Sequence, residues 1–478
     1  MPAAKILLIN PNKMKPAIAP IALDYLGHAL KKKGYHVDLL DVSFSPDMDA
    51  DISRYFSHSS PAVVGITVRN VDDSYYLSQD FFVPEIKNWV QKIRKLTNAP
   101  IVLGGIGFSI VPERVMEYSG ADFGIRGEGE FSFPELVEKI ITGANCSDIP
   151  GLIYRSEDGI MSNSRKFVNL DLLSDCKREF VDNERYFREG GMGSIETKRG
   201  CEENCIYCPE PSAKGRKYRL RRPEHVVDEI QSLLQRGITH FHTCDSEFNL
   251  PDDHAGMICQ EIIKRGLGEK IRWYAYASPM PFSEELMRLM KEAGCAGIDF
   301  GVDSGNDEIL KNLGRKHREK DVIELAKLCH KYDMTFMYDL LLGGPGETRD
   351  TLKETIELMK EVKPSRVGVS IGVRVYPRTA LGKAVQKDGV SENNPDLYGI
   401  LNDNDDFFRP VFYISSSIGA EIHSYVSELV GGDDRFFVGS QEDITENYNY
   451  NDNSILVEAI KDGARGAFWA ILIDLADA

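Results

Sequence analysis

Cys201, Cys205 and Cys208 lie in one short run from Gly200 to Pro209 (GCEENCIYCP). Thiolates are soft ligands, and a 4Fe-4S cluster usually takes four of them. A tight set of three would hold three irons and leave the fourth open to bind something else. A structural zinc site would need a fourth soft ligand and typically two separated pairs. The nearest candidates, His225 and Cys244, are not spaced as a second pair. The run reads as a cluster site with an open iron.

Such a site must be carried by a substantial scaffold. At 478 residues the chain is long enough for two or three domains with their own cores. The net charge of −17 argues against a nucleic-acid partner, because backbone binding needs clustered Lys and Arg. One basic stretch, Lys214 to Arg222 (KGRKYRLRR), follows the cysteines. It reads either as a solvated loop or as a collar for an anionic cofactor tail or substrate. Cys146, Cys176, Cys244, Cys259, Cys295 and Cys329 are scattered, do not form a disulfide framework, and behave as small buried apolar side chains. The opening MPAAKILLIN has no charged-then-apolar signal pattern, and Ala467 to Leu475 is too short to span a bilayer. A cytoplasmic protein without a membrane span is expected.

The run KILLI (5–9) ending at Asn10-Pro11 predicts a buried strand and turn, and Pro20 to Lys33 has helical spacing stopped by Gly34. Further strands are expected at Val37 to Leu40, Ala62 to Val68, Ile101 to Gly105 and Phe123 to Ile125, alternating with helices. That alternation implies a doubly wound parallel sheet, with ligands beyond the carboxyl ends of its strands. Residues 146–193 read as a connector with a hairpin at Asp158-Gly159. From 194 to 388 six strand–helix units fit a partial (β/α)6 barrel, with chemistry at the C-terminal strand ends. Residues 389–478 read as a smaller, mostly helical unit that covers substrate, with Asn447 to Asn453 as a surface loop or lid.

The cysteine spacing, with Tyr207 before the last cysteine, resembles the signature of radical SAM enzymes. The resemblance implies that the open iron chelates S-adenosylmethionine, whose reductive cleavage yields a 5′-deoxyadenosyl radical. It also implies cofactor contacts at four strand ends. Asp245-Ser246-Glu247 stands where the family often has Gly-Gly-Glu to receive the SAM amino group. Asp303-Ser304-Gly305 resembles its Glu-Ser-Gly segment at the ribose, with Asp303 in place of Glu. Arg315 and Lys316 follow where a basic group faces the SAM carboxylate, Lys316 being the candidate; Gly343-Gly344-Pro345 matches the adenine loop. Tyr376-Pro377-Arg378-Thr379 resembles a further family turn, usually Pro-Gly-Thr.

The first 145 residues resemble the Rossmann-like cobalamin-binding domain that precedes the barrel in B12-dependent radical SAM enzymes. Gly104-Gly105 and the segment Gly120 to Glu130 carry that resemblance, together with the Asn10-Pro11 turn. It implies that Asn10, Pro11, Arg69, Asn70, Gly104, Gly105, Gly127 and Glu128 contact cobalamin. The Asp-x-His-x-x-Gly motif whose histidine coordinates cobalt in many such domains is missing. His28, His36 and His58 stand in other contexts, which makes Arg69, Asn70 and Asp72 candidates for the space beneath the corrin.

The expected activity is a B12-dependent radical SAM methyltransferase acting on an unactivated carbon of a small-molecule, lipid or peptide substrate. A flavodoxin- or ferredoxin-type electron donor would serve it. In the radical scheme one SAM methylates the cobalamin and a second supplies the radical. Cyclisation, rearrangement or oxidation without methyl transfer is the alternative, and a non-catalytic cobalamin or cluster carrier is the alternative of another class. Methylthiotransferases share the barrel but carry three further N-terminal cysteines; the first 145 residues here have none.

Overall fold

The computed structural model describes residues 4–439 and 453–476, which form two compact units. The Asn447 to Asn453 segment lies outside the described residues except for Asn453, whose side chain caps the helix Ser454–Lys461.

The first unit comprises residues 1–73, 80–182 and 209–215. Its sheet runs in the order His36–Asp41, Lys5–Asn10, Val63–Thr67, Ile101–Gly104, Phe123–Ile125, and then an antiparallel hairpin, Leu152–Ser156 with Gly159–Ser162. The first five strands are parallel. Ile6, Leu7, Leu8 and Ile9 are all buried, as expected of a parallel strand covered on both faces. The sheet order reverses between Lys5–Asn10 and Val63–Thr67, which places the switch-point crevice beside Asn10 and Arg69. Residues 146–182 are fastened to the helix Ile21–Lys32 by a fully buried ion pair, Arg178 Nε to Asp24 Oδ2 at 2.7 Å. The backbone N–H groups of Phe180 and Val181 donate to the other oxygen of Asp24, so this buried charge is paired and hydrogen-bonded throughout.

The second unit comprises residues 74–79, 183–208 and 216–478. Its main sheet runs Gly193–Ile195, His240–Thr243, Arg272–Ala277, Cys295–Asp303, Thr335–Leu342, Arg366–Ile371, with Phe436–Phe437 as a parallel edge. Every neighbouring pair is parallel, and the strands follow one another in sequence order up to Ile371. The period of two explains the layers. Ile298, Phe300 and Val302 join Phe336, Tyr338, Leu340 and Leu342 in the core cluster that also contains residues from the outer helices. The alternate phase, Gly297, Asp299, Gly301 and Asp303, therefore faces the barrel interior.

One end of that interior is plugged by the helix Phe468–Ala476. Trp469 packs edge-on against Tyr274, with ring centroids 6.0 Å apart. A Cβ on Gly297 would come within 2.6 Å of the Trp469 ring, so glycine is required there. A small antiparallel sheet of Val373–Arg374, Val411–Tyr413 and Leu397–Gly399 completes the unit. Against it packs Tyr76, whose ring meets Tyr398 at 5.9 Å and Phe412 at 5.7 Å.

Candidate functional site

The cysteine loop follows the short strand Lys198–Arg199 and is tied into the barrel at Ile206. Ile206 donates its N–H to Leu313 and accepts from Leu381, so both neighbouring loops clamp the turn between Cys205 and Cys208. Asn204 approaches so closely that a Cβ on Gly314 would lie 2.4 Å from its carbonyl oxygen. Cys201 is buried, and Cys205 and Cys208 are half-buried. Burial pushes the Cys201 thiol up to about 11 and raises that of Cys205, with Arg315 opposing the second shift. Ligation requires the thiolates, so loading the site releases protons. Among the described residues no three His, Cys, Asp or Glu side chains are arranged to hold a single metal ion. The three thiols suit separate irons of one cluster.

Arg315 is the centre of charge beside this loop. Its Nη1 donates to Cys205 Sγ at 3.1 Å and lies 3.9 Å from Glu247, while Nη2 hydrogen-bonds Gly301 O and Nε approaches Asp303 at 3.4 Å. Its side chain is only 6% exposed. Asp303, in the left-handed region at φ 64°, also accepts a 2.6 Å hydrogen bond from Tyr207. Burial pushes the Glu247 carboxyl up to about 7 against the pull of Arg315. Lys316, the basic residue expected here, instead projects outward with a 52% exposed side chain and pairs with Glu203 at 2.7 Å.

The other expected residues divide into committed and uncommitted groups. Asp245 is committed: it accepts from Thr197 N at 2.8 Å, Thr197 Oγ1 at 2.6 Å and Lys198 N at 3.2 Å. Ser304 is buried against Thr355 at 3.1 Å and braces the turn into Asn306. The Ser246 hydroxyl is buried without a partner, so it is free to meet a ligand. At Gly343 and Gly344 both backbone N–H groups donate to the Glu347 carboxylate, while Asn312 donates to Pro345 O at 3.0 Å. Gly343 adopts φ 96°, and this locked turn keeps the backbone close to the strand end.

In the first unit the expected residues sit on four strand-end loops. Asn10 is buried and locks its own turn, donating to Asp41 at 3.0 Å and Ser43 at 3.2 Å while accepting from Asn12. Pro11 follows it and is itself buried. Arg69 carries a buried guanidinium nitrogen without a partner. Asn70 passes so near Gly107 that a Cβ there would lie 2.7 Å from its backbone. Gly105 adopts φ 103°, and a Cβ on it would meet Val68 O at 2.5 Å. Gly104 is different: nothing but Ile125 O, at 3.9 Å, would touch its Cβ. The Gly127 N–H donates to Ser109 at 2.8 Å, and Glu128 accepts from Val168 N at 2.7 Å. Glycine at 104 is thus not demanded by the protein's own packing, and the orphaned Arg69 nitrogen also points to a ligand. His28 and His36 are engaged by Asp175 and Asp38, and His58 by Ser57.

A family model described as the radical SAM superfamily matches residues 195–359, and one described as a B12 binding domain matches residues 11–137. The chain is 34% identical over 450 residues to tryptophan 2-C-methyltransferase from Streptomyces laurentii, covering 80% of this chain and 75% of that one. The chain belongs to the cobalamin-binding radical SAM enzymes. Among solved structures, the radical SAM methyltransferase TsrM from Kitasatospora setae, with tryptophan substrate and a SAM analogue bound, aligns with a TM-score of 0.93. That alignment is 33% identical and covers 99% of this chain and 98% of TsrM. The cobalamin-dependent radical SAM enzyme OxsB shares the fold at a TM-score of 0.70 and 19% identity, covering 90% of this chain and 66% of OxsB. As a cobalamin-binding radical SAM enzyme, the chain takes a 4Fe-4S cluster, S-adenosylmethionine and cobalamin as cofactors. Among the described residues no helix is long and apolar enough to cross a membrane.

Proposed function

We propose that this enzyme transfers a methyl group from SAM to C2 of the indole ring of tryptophan or a closely related indole. The observation that carries the reading is the full-length match, in sequence and in fold, to a tryptophan-bound methyltransferase. Bound together, the cofactors would supply a methyl donor, a one-electron reductant and a cobalt methyl carrier. In this reading residues 1–145 bind cobalamin, 194–388 carry the cluster and SAM, 146–193 connect them, and 389–478 cover the substrate. Cys201, Cys205 and Cys208 hold the cluster. Arg315 balances the negative charge that the thiolates, Asp303 and Glu247 bring to one place. Ser246 and Glu247 receive the SAM amino group, and Gly343, Gly344 and Pro345 lie along the adenine. Asn10, Pro11, Arg69, Asn70, Gly104, Gly105, Gly127 and Glu128 cradle the corrin and its tail. A flavodoxin- or ferredoxin-type protein in the cytoplasm supplies the electron.

Anaerobically reconstituted enzyme, given SAM and L-tryptophan, is expected to form 2-methyltryptophan with at least one S-adenosylhomocysteine per product. Deoxyadenosine formed alongside would report hydrogen abstraction by a second SAM. Deoxyadenosine with no methylated product would contradict methyl transfer and favour cyclisation, rearrangement or oxidation.

A further inference from the structure

Partway along the barrel interior lies a pair of acids that none of the roles above uses. Asp299 occupies the inner phase of the strand Cys295–Asp303, and Asp339 sits on the next strand, Thr335–Leu342. Asp299 is 2% exposed and hydrogen-bonds Asp339. Burial first, then the neighbouring Asp339 charge, raises its carboxyl well above the ordinary range. The groups that perturb Asp299 are burial, Asp339 and Glu247, with no Lys or Arg among them. Its Oδ1 is buried and accepts no hydrogen bond. An unfilled acceptor on a buried acid is costly, and no group among the described residues fills it.

Small residues flank the pair, and the Arg315 guanidinium lies over one of them, 3.4 Å from where a Cβ on Gly301 would stand. Asp339 stands between Gly301 and Gly368 across the two ladders. Asp299 stands beside Tyr276. Tyr276 is 39% exposed although it lies on a central strand, and its ring is 4.6 Å from that of His242. Burial lowers the His242 imidazole to about 4, so it is neutral and adds no positive charge to the pocket.

We propose that the Asp299–Asp339 pair anchors a protonated amino group of the substrate, with Tyr276 and His242 as the wall for its planar apolar part. The proposal rests on the indole reading above and names the group by which such a substrate is held. An ammonium donates to the open Asp299 Oδ1 and brings a positive charge beside two buried carboxyl groups. No bond is made or broken.

Equilibrium binding to the cluster- and cobalamin-loaded enzyme tests it with three ligands: L-tryptophan, tryptamine and indole-3-propionate. The unaltered enzyme is expected to bind the two amines about tenfold or more tightly than indole-3-propionate. In Asp299→Asn/Asp339→Asn that preference disappears while indole-3-propionate binds as before, with iron and cobalamin content unchanged. Should the double variant fail to load cofactors, Asp339→Asn alone is read the same way. Equal binding of tryptamine and indole-3-propionate by the unaltered enzyme overturns the proposal. So does an equal loss of all three ligands in a fully loaded variant. Failure of all three to bind the unaltered enzyme is a different pattern, and overturns the indole reading itself.

Discussion

Beside Cys205 the second unit gathers formal charges, Arg315, Asp303 and Glu247, within 4 Å of one guanidinium. Around Gly104 and Gly105 the first unit offers mostly backbone and the absence of side chains. Charged side chains suit a site that must hold anionic thiolates and a cationic sulfonium in a confined space. Bare backbone suits a large, flat cofactor that needs close approach over a wide area. The two kinds of site should fail in different ways.

The largest effect is expected from replacing Cys201, Cys205 or Cys208 by alanine. Iron content and all SAM turnover should be lost while cobalamin still binds, which metal analysis and the visible spectrum would report. Next is Arg315→Met. Removing a buried cation leaves Asp303 and Glu247 unbalanced, a loss of about 3–5 kcal/mol in denaturant unfolding, with cluster content falling and cobalamin affinity unchanged.

Glu347 tests the same principle away from the cysteines. Burial raises its carboxyl from the ordinary 4.5 to about 7, although the N–H groups of Gly343 and Gly344 pull the other way. Its folded-state pKa lies above the unfolded one, so its contribution is full below pH 4.5 and is lost as pH rises through 7. Unfolding free energy should fall by about 3 kcal/mol over that interval from this group, and Glu347→Gln should remove that share of the slope.

The smallest effects separate two adjacent glycines. Gly105→Ala forces a left-handed residue against Val68 O and should cost about 1–3 kcal/mol of stability. Gly104→Ala meets only Ile125 O at an ordinary contact distance, so the melting temperature should hold while cobalamin affinity drops. If both substitutions lower stability alike, the loop is shaped by its own packing and the cradle assignment fails.

The contrast also governs what the sequence makes legible. The cysteine run and the Gly343-Gly344-Pro345 turn are local, so residue type and spacing identify them. The alternation of strands and helices likewise foretells both parallel sheets. Arg315 and Lys316 are adjacent cations, yet the first turns inward to Asp303 and the second outward to Glu203, a difference their types and places in the sequence do not carry. Asp245 and Ser304 have the expected types and places, but their oxygens are taken by Thr197 and Thr355. Asp299 and Asp339 carry a signal that sequence reading passed over: acids in the inner phase of strands whose other phase packs in the core.

The most direct test of the central claim, that the two units act on one methyl group, is a single turnover. Enzyme loaded with its cluster and with cobalamin carrying a trideuterated methyl would be mixed with unlabelled SAM and L-tryptophan under anaerobic conditions. The account predicts that the first equivalent of methylated tryptophan carries three deuterium atoms and later equivalents carry none. An unlabelled first equivalent would mean that the methyl group bypasses cobalamin, and would contradict it.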